Sequence, residues 1–178
     1  KVKGHFLPAG VYHEETYLLD LPKTNDVIFV GSKGYHNEWK WRPQLIDWLS
    51  QTYGDKFKHY GNDGIGVVRG DELNKLYAST KISVGDTLCL NFNYPYYLSD
   101  RVFETTGRGG FLLMPYIKGI EDLFEVGKEI ITFKFGDFKD LKKKIDYYLE
   151  HDDERESIRI AGFERTKKDH TYKNRWIK

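Results

Sequence analysis

One cysteine, one methionine and five prolines are spread over 178 residues. The lone thiol, Cys89 in the apolar run Leu88-Cys-Leu90, excludes an internal disulfide and a cysteine-built zinc site. It reads as a buried structural thiol in a reducing compartment, which points to a cytoplasmic protein. Charge of one sign is also lacking, with 28 Lys and Arg against 27 Asp and Glu. Nucleic-acid binding, which carries a strong basic excess, is therefore not expected. No apolar run approaches the roughly 20 residues that cross a bilayer, so no transmembrane segment is expected. There is no signal-peptide pattern. No GxGxxG or GxxxxGK[S/T] occurs, which argues against NAD enzymes and P-loop ATPases. The six histidines (His5, His13, His36, His59, His151 and His170) show no metal-ligand spacing, and no GxSxG elbow is present. Neither a metal nor a cofactor is expected.

Aromatic residues are plentiful, with 11 Phe, 13 Tyr and 4 Trp, which supply core bulk and stacking surfaces. The length predicts one domain over 1–178. Asp26-Val-Ile-Phe-Val-Gly31 reads as a buried strand ending in the loop Gly31-Ser-Lys-Gly34. Trp41, Leu45, Trp48 and Leu49 recur at helical spacing, with the helix beginning near Pro43. Further strands are predicted at 57–60, 81–84, 111–114 and 129–133, and an entering strand and turn at 4–11. Helices are predicted at 71–79, 120–124, 138–150 and 153–168, with a further apolar segment at 87–92. Strands alternating with helices predict an α/β fold, a Rossmann-like parallel sheet with helices on both faces. Ligands in such sheets bind at the carboxyl ends of the strands. The loops Gly31 to Gly34, Gly61 to Arg69 and Asn93 to Arg101 are the candidates there.

The most informative stretch is Ser99-Asp-Arg-Val-Phe-Glu-Thr-Thr-Gly-Arg-Gly-Gly-Phe-Leu-Leu-Met-Pro-Tyr116. It predicts a helix, capped by Ser99 or Asp100 and stopped by Gly107 to Gly110, running into a strand covered on both faces. A helix N-terminus at the rim of a parallel sheet favours phosphate, and a carboxylate one turn in accepts hydrogen bonds from a sugar diol. Arg101 and Glu104, three residues apart, share one side of that helix. They read either as ligand contacts or as an exposed ion pair worth roughly 0.3 kcal/mol. Lys33 reads either as a phosphate contact or as a solvated turn lysine. Tyr94, Tyr96 and Tyr97 read either as a stacking surface for a base or sugar or as loop packing.

From about Leu73 to Tyr172 the chain resembles the C-terminal, donor-binding half of a GT-B glycosyltransferase. It is most similar to the CgeB-like (spore maturation protein-like) group of the glycosyl transferases group 1 superfamily. The resemblance rests on a succession of segments: Glu72 to Ile82, Ser99-Asp-Arg-Val-Phe-Glu104, Gly109-Gly-Phe-Leu-Leu113 and Gly119-Ile-Glu-Asp-Leu-Phe124. It continues through Gly127-Lys-Glu-Ile130, Tyr147-Tyr-Leu-Glu-His151, Ala161-Gly-Phe-Glu-Arg165 and His170-Thr-Tyr172. Leu7-Pro-Ala-Gly-Val11 resembles the family's crossover segment.

The resemblance implies a metal-independent, hexosyltransferase-like enzyme that uses a nucleotide-diphosphate-sugar as donor substrate. Glu104 falls at the second position of the family's Glu-x7-Glu pair, implying a ribose contact. The first position is Tyr96, so the usual carboxylate to the sugar is missing. The family's basic pair after the first strand is also altered, since Ser32 follows Gly31, and Lys33, Arg42 or Arg101 are the candidates to supply the charge. The expected donor-binding set is Gly31, Ser32, Lys33, Arg42, Arg69, Ser99, Asp100, Arg101 and Glu104, with the catalytic residues unassigned. The chain opens Lys1-Val-Lys-Gly4 without an initiator methionine. It is therefore expected to be a fragment of a two-domain enzyme, inactive alone, without the acceptor-binding N-terminal domain and with residues 170–178 loosely held. Two other readings remain open: a non-catalytic nucleotide- or sugar-binding module, and an α/β protein-interaction domain.

Overall fold

The computed structural model describes residues 7–34, 36–87 and 94–176. Five short strands carry the fold: β1 (Asn25–Val30), β2 (Phe57–Tyr60), β3 (Thr80–Val84), β4 (Leu112–Pro115) and β5 (Ile131–Phe133). They lie in the order β2-β1-β3-β4-β5, every pair parallel, with Val27 opposite Phe57 on one side and Ile82 on the other. Parallel neighbours need crossovers. Helices α1 (Trp41–Tyr53), α2 (Gly70–Ala78) and α3 (Asp100–Gly107) make the first three, and α4 (Phe138–Glu150), α5 (Asp152–Asp169) and α6 (Tyr172–Trp176) follow β5.

Alternation along each strand sorts its side chains between two faces. Val27, Phe29 and Leu113 pack with Leu45 and Leu49 of α1 and Leu141 and Ile145 of α4. On the opposite face, Ile28 meets Leu73, Leu76 and Tyr77 of α2, while Leu112 and Met114 meet Val102 and Phe103 of α3. Burial on both faces accounts for the unbroken apolar runs in the sequence. The fold is an α/β, Rossmann-like parallel sheet with helices on both faces. After β1 the chain steps to β2 on one side, then returns through α2 to β3 on the other. The carboxyl ends of β1 and β3 therefore form the switch point, where the following loops diverge.

Several elements differ from the sequence expectations. α1 begins at Trp41, two residues before Pro43, because a proline within the first turn has no intrahelical N–H bond to lose. The expected helix at 120–124 is only a 3-10 turn, Ile120–Asp122, entered through the left-handed Gly119. β5 starts at Ile131 rather than Glu129, whose carboxylate instead receives Arg165 Nε. Ser99 occupies the α3 N-cap with no side-chain cap bond, and Asp100 accepts from the N–H of Arg101 at 2.9 Å.

The C-terminal segment is not loosely held as far as Thr171. Val11 N donates to His170 O (3.2 Å), Tyr172 N donates to Val11 O (3.0 Å), and His170 Nε2 bonds Leu123 O (2.8 Å). Both His170 and Thr171 are buried, whereas Trp176 is 81% exposed. Of the entering strand, residues 4–6 lie outside the described residues, and Val11 makes a single bridge to Thr171. The apolar segment 87–92, with Cys89, lies outside the described residues after Thr87.

Candidate functional site

Around the switch point the loops enclose a cavity of about 800 Å³, walled by residues 30–32, 60–62, 67–70 and 97–101. Arg101, in the first turn of α3, stacks its guanidinium over the Phe29 ring at 5.2 Å, and Arg42 approaches the same ring at 5.9 Å. Gly31 permits this approach. It sits at φ 137, and a Cβ there would lie 2.5 Å from Arg101 Nη2.

The two guanidiniums are balanced differently. Asp86, 2% exposed, accepts at Oδ2 from Arg42 Nε and from Trp39 Nε1, each at 2.9 Å. Arg42 Nη1 also reaches Ser32 O at 3.3 Å. Arg101 has no such carboxylate, and its Nη1 is buried without a hydrogen-bond partner among the described residues. Burial first, and then the like charge of Arg42, lower its pKa. A guanidinium held from water beside a second one is destabilised until an anion joins it. Ser99 Oγ is likewise buried and unpartnered among the described residues.

Glu104, one turn further along α3, is part-buried, and its carboxylate makes no hydrogen bond or ion pair among the described residues. The exposed ion pair with Arg101 is thus not formed. Burial first, then the nearby Asp100 charge, raise the Glu104 pKa, partly offset by Arg108 and Arg101. Behind it the buried Arg108 pairs with Glu15 and donates to Gly70 O (3.1 Å) and to Asn74 Oδ1, fastening the 3-10 turn His13–Glu15 to α2. Val30, Tyr60, Val68, Leu73 and Tyr77 supply an apolar wall. The cavity thus offers the Arg101 guanidinium and a hydroxyl to an anion, the Glu104 carboxylate to a diol, and an apolar surface to a flat ring.

Of the expected donor-binding residues, Gly31, Ser32, Arg42, Arg69, Ser99, Asp100, Arg101 and Glu104 line this cavity, and Lys33 does not. Lys33 Nζ pairs with Asp47 of α1. The loop around it is held by Asp63, whose two oxygens accept from Lys33 N and Gly34 N, each at 2.9 Å. Those two N–H groups are therefore already engaged. Tyr97 lines the cavity whereas Tyr96 does not. Sequence reasoning missed Asp86, Glu15 and Arg108, together with the ring walls Tyr60 and Tyr77. The available signal for Asp86 was a carboxylate two residues past a buried strand, at its carboxyl end. Among the described residues no three His, Cys, Asp or Glu side chains are grouped to hold a metal ion, and no helix is long and apolar enough to cross a membrane.

Solved structures share this fold at low identity. Sucrose-phosphate synthase from Thermosynechococcus elongatus superimposes with a TM-score of 0.68 at 12% identity, over 96% of this chain and 49% of the other. A glycosyltransferase from Rickettsia africae gives 0.69 at 14%, over 94% and 53%. Anabaena HepE, solved with UDP and glucose, gives 0.62 at 15%, over 86% and 47%. The chain therefore spans about half the length of these neighbours. No curated protein sequence matches it. The family model described as glycosyl transferase-like matches residues 41–178, and the chain belongs to that family.

Proposed function

We propose that the cavity binds a nucleotide-diphosphate-sugar and that the chain is the donor-binding domain of a metal-independent, hexosyltransferase-like enzyme of the CgeB-like kind. The observation that carries this reading is Arg101, whose buried Nη1 has no partner among the described residues beside Arg42 at the N-terminus of α3. A diphosphate placed there satisfies the guanidinium and lies at the positive end of the helix dipole. When the sugar–phosphate bond breaks, negative charge grows on the leaving diphosphate. The Arg101 guanidinium and the helix dipole stabilise that charge without a metal ion. Glu104 accepts from the ribose hydroxyls, and the apolar wall takes the base. The acceptor and its acid–base groups belong to a second domain facing the cavity, a reading supported by the half-length match to the structural neighbours. The lone Cys89 supports a cytoplasmic setting.

Calorimetry with UDP, GDP and TDP, in EDTA and then in Mg²⁺, tests this. One diphosphate should bind equally in both, and the chain alone should transfer no sugar. Failure of all three to bind, or a strict Mg²⁺ requirement, would refute the reading.

A further inference from the structure

The loop Gly31 to Gly34 carries a backbone N–H on each residue, and the loop after β2 engages all but one of them. Gly31 N donates to Tyr60 O at 2.6 Å, and Lys33 N and Gly34 N donate to the two carboxylate oxygens of Asp63, each at 2.9 Å. The carbonyl side is fixed as well. His59 Nε2 donates to Gly31 O at 2.7 Å, and Ser32 O accepts from Arg42 Nη1 at 3.3 Å. Gly61 lets the two loops touch, since a Cβ there would stand 2.7 Å from Gly31 O. The second loop is itself braced, with Gly64 N donating to Gly61 O (3.1 Å) and Ile65 N to His59 O (2.9 Å).

The N–H left over is that of Ser32, which makes no hydrogen bond among the described residues. Ser32 lines the donor cavity, and Gly31 before it lies against the Arg101 guanidinium. His59, Asp63, Lys33 and Gly34 stand outside the cavity wall. Successive backbone N–H groups are where a loop would hold an anion of its own. Here Asp63 fills that place from outside the cavity, so its carboxylate orients the loop and does not obstruct the ligand.

We propose that Asp63 and His59 are positioning residues for the donor, an inference that rests on the donor-site reading above. They hold the loop so that, of its backbone donors, Ser32 N–H meets the diphosphate beside Arg101. A loop already held in its binding conformation does not have to be ordered when the ligand arrives, and affinity gains by the cost avoided.

The test joins titration calorimetry with UDP, GDP and TDP to amide hydrogen exchange on the whole chain. Without ligand the Gly31, Lys33 and Gly34 amides should be protected and Ser32 should exchange fast, and the diphosphate that binds should slow Ser32 about tenfold. The Asp63 side chain is 41% exposed, so Asp63→Ala should keep the wild-type circular dichroism. It should bind the diphosphate about tenfold more weakly and lose the protection at Ser32. Asp63→Asn, which keeps one acceptor oxygen, should fall between, and His59→Phe, which keeps a ring without the donor, should also bind more weakly. Equal affinity in Asp63→Ala overturns the proposal, as does a loss of affinity that leaves the ligand's effect on Ser32 exchange unchanged. Tighter binding by Asp63→Ala overturns it too, because the carboxylate would then compete with the diphosphate. Wild type that binds none of the three removes the donor reading and this inference with it, whereas binding that Asp63→Ala leaves untouched removes this inference alone.

Discussion

Replacing Arg101 with methionine separates what the guanidinium costs the free protein from what it contributes to binding. Its Nη1 is buried and unpartnered among the described residues, and Arg42 stands 5.9 Å from the same Phe29 ring. Leaving such a group unsatisfied costs about 1–3 kcal/mol, while its stacking on Phe29 returns about 0.5–1 kcal/mol. Methionine keeps most of the volume and carries no charge to desolvate. A net gain near 1 kcal/mol raises the melting temperature of the ligand-free chain by about 2–4 °C. Binding moves the other way. Losing a charge-assisted hydrogen bond to a phosphate costs about 1.5–3 kcal/mol, or about 10- to 150-fold in affinity. Uridine, which lacks phosphates, should lose far less than UDP, and added salt should narrow the difference between wild type and variant. Differential scanning calorimetry gives the first quantity and titration calorimetry the second. A variant that melts lower without ligand and binds UDP as tightly as wild type would refute the reasoning.

Glu104→Gln should separate in a similar way, with a pH signature. The folded pKa of Glu104 lies above its ordinary 4.5, so its protonated form favours folding. That stability is complete below pH 4.5 and is lost as pH rises through the folded pKa. Glutamine mimics the protonated form, so the variant should melt higher than wild type at pH 7 and equally at low pH, while binding nucleoside diphosphates about 1.5–3 kcal/mol more weakly. Asp86→Ala strands the buried Arg42 and should destabilise the chain by about 3–5 kcal/mol in urea titration. His170 is held neutral by burial, its folded pKa below the ordinary 6.5, so stability should fall as pH drops from 6.5 toward the folded value, and His170→Gln should flatten that slope. Gly162→Ala drives a Cβ onto the carbonyl oxygen of Glu129 where α5 packs closest, and should cost about 1–3 kcal/mol in the same titration.

The strands were legible because burial on both faces leaves unbroken apolar runs such as Val27 to Val30 and Leu112 to Met114. α5 was legible from its high charge, with acidic residues in its first turn. Less legible was the turn after β4, where Ile120 and Phe124 show helical spacing although only a 3-10 turn forms, its apolar residues serving the α3 side of the core. In the cavity, proximity in sequence served for Ser99 to Glu104, which one helix holds together. It did not serve for the charge partners. Arg42 and Asp86 stand 44 residues apart and meet only through the β1–β3 pairing, and Lys33, beside Gly31 in sequence, turns away to Asp47. Residue type named the cations, while the pairing of the sheet decided which of them stayed unneutralised.

The most direct test of the donor-site account is a crystal structure of the chain grown with UDP. The account predicts the diphosphate within hydrogen-bonding distance of Arg101 Nη1 and Ser99 Oγ, the ribose hydroxyls on Glu104, and the base against Tyr60 and Val68. A nucleotide lodged elsewhere, or a cavity still holding only Arg101 and Arg42 at saturating UDP, would contradict it.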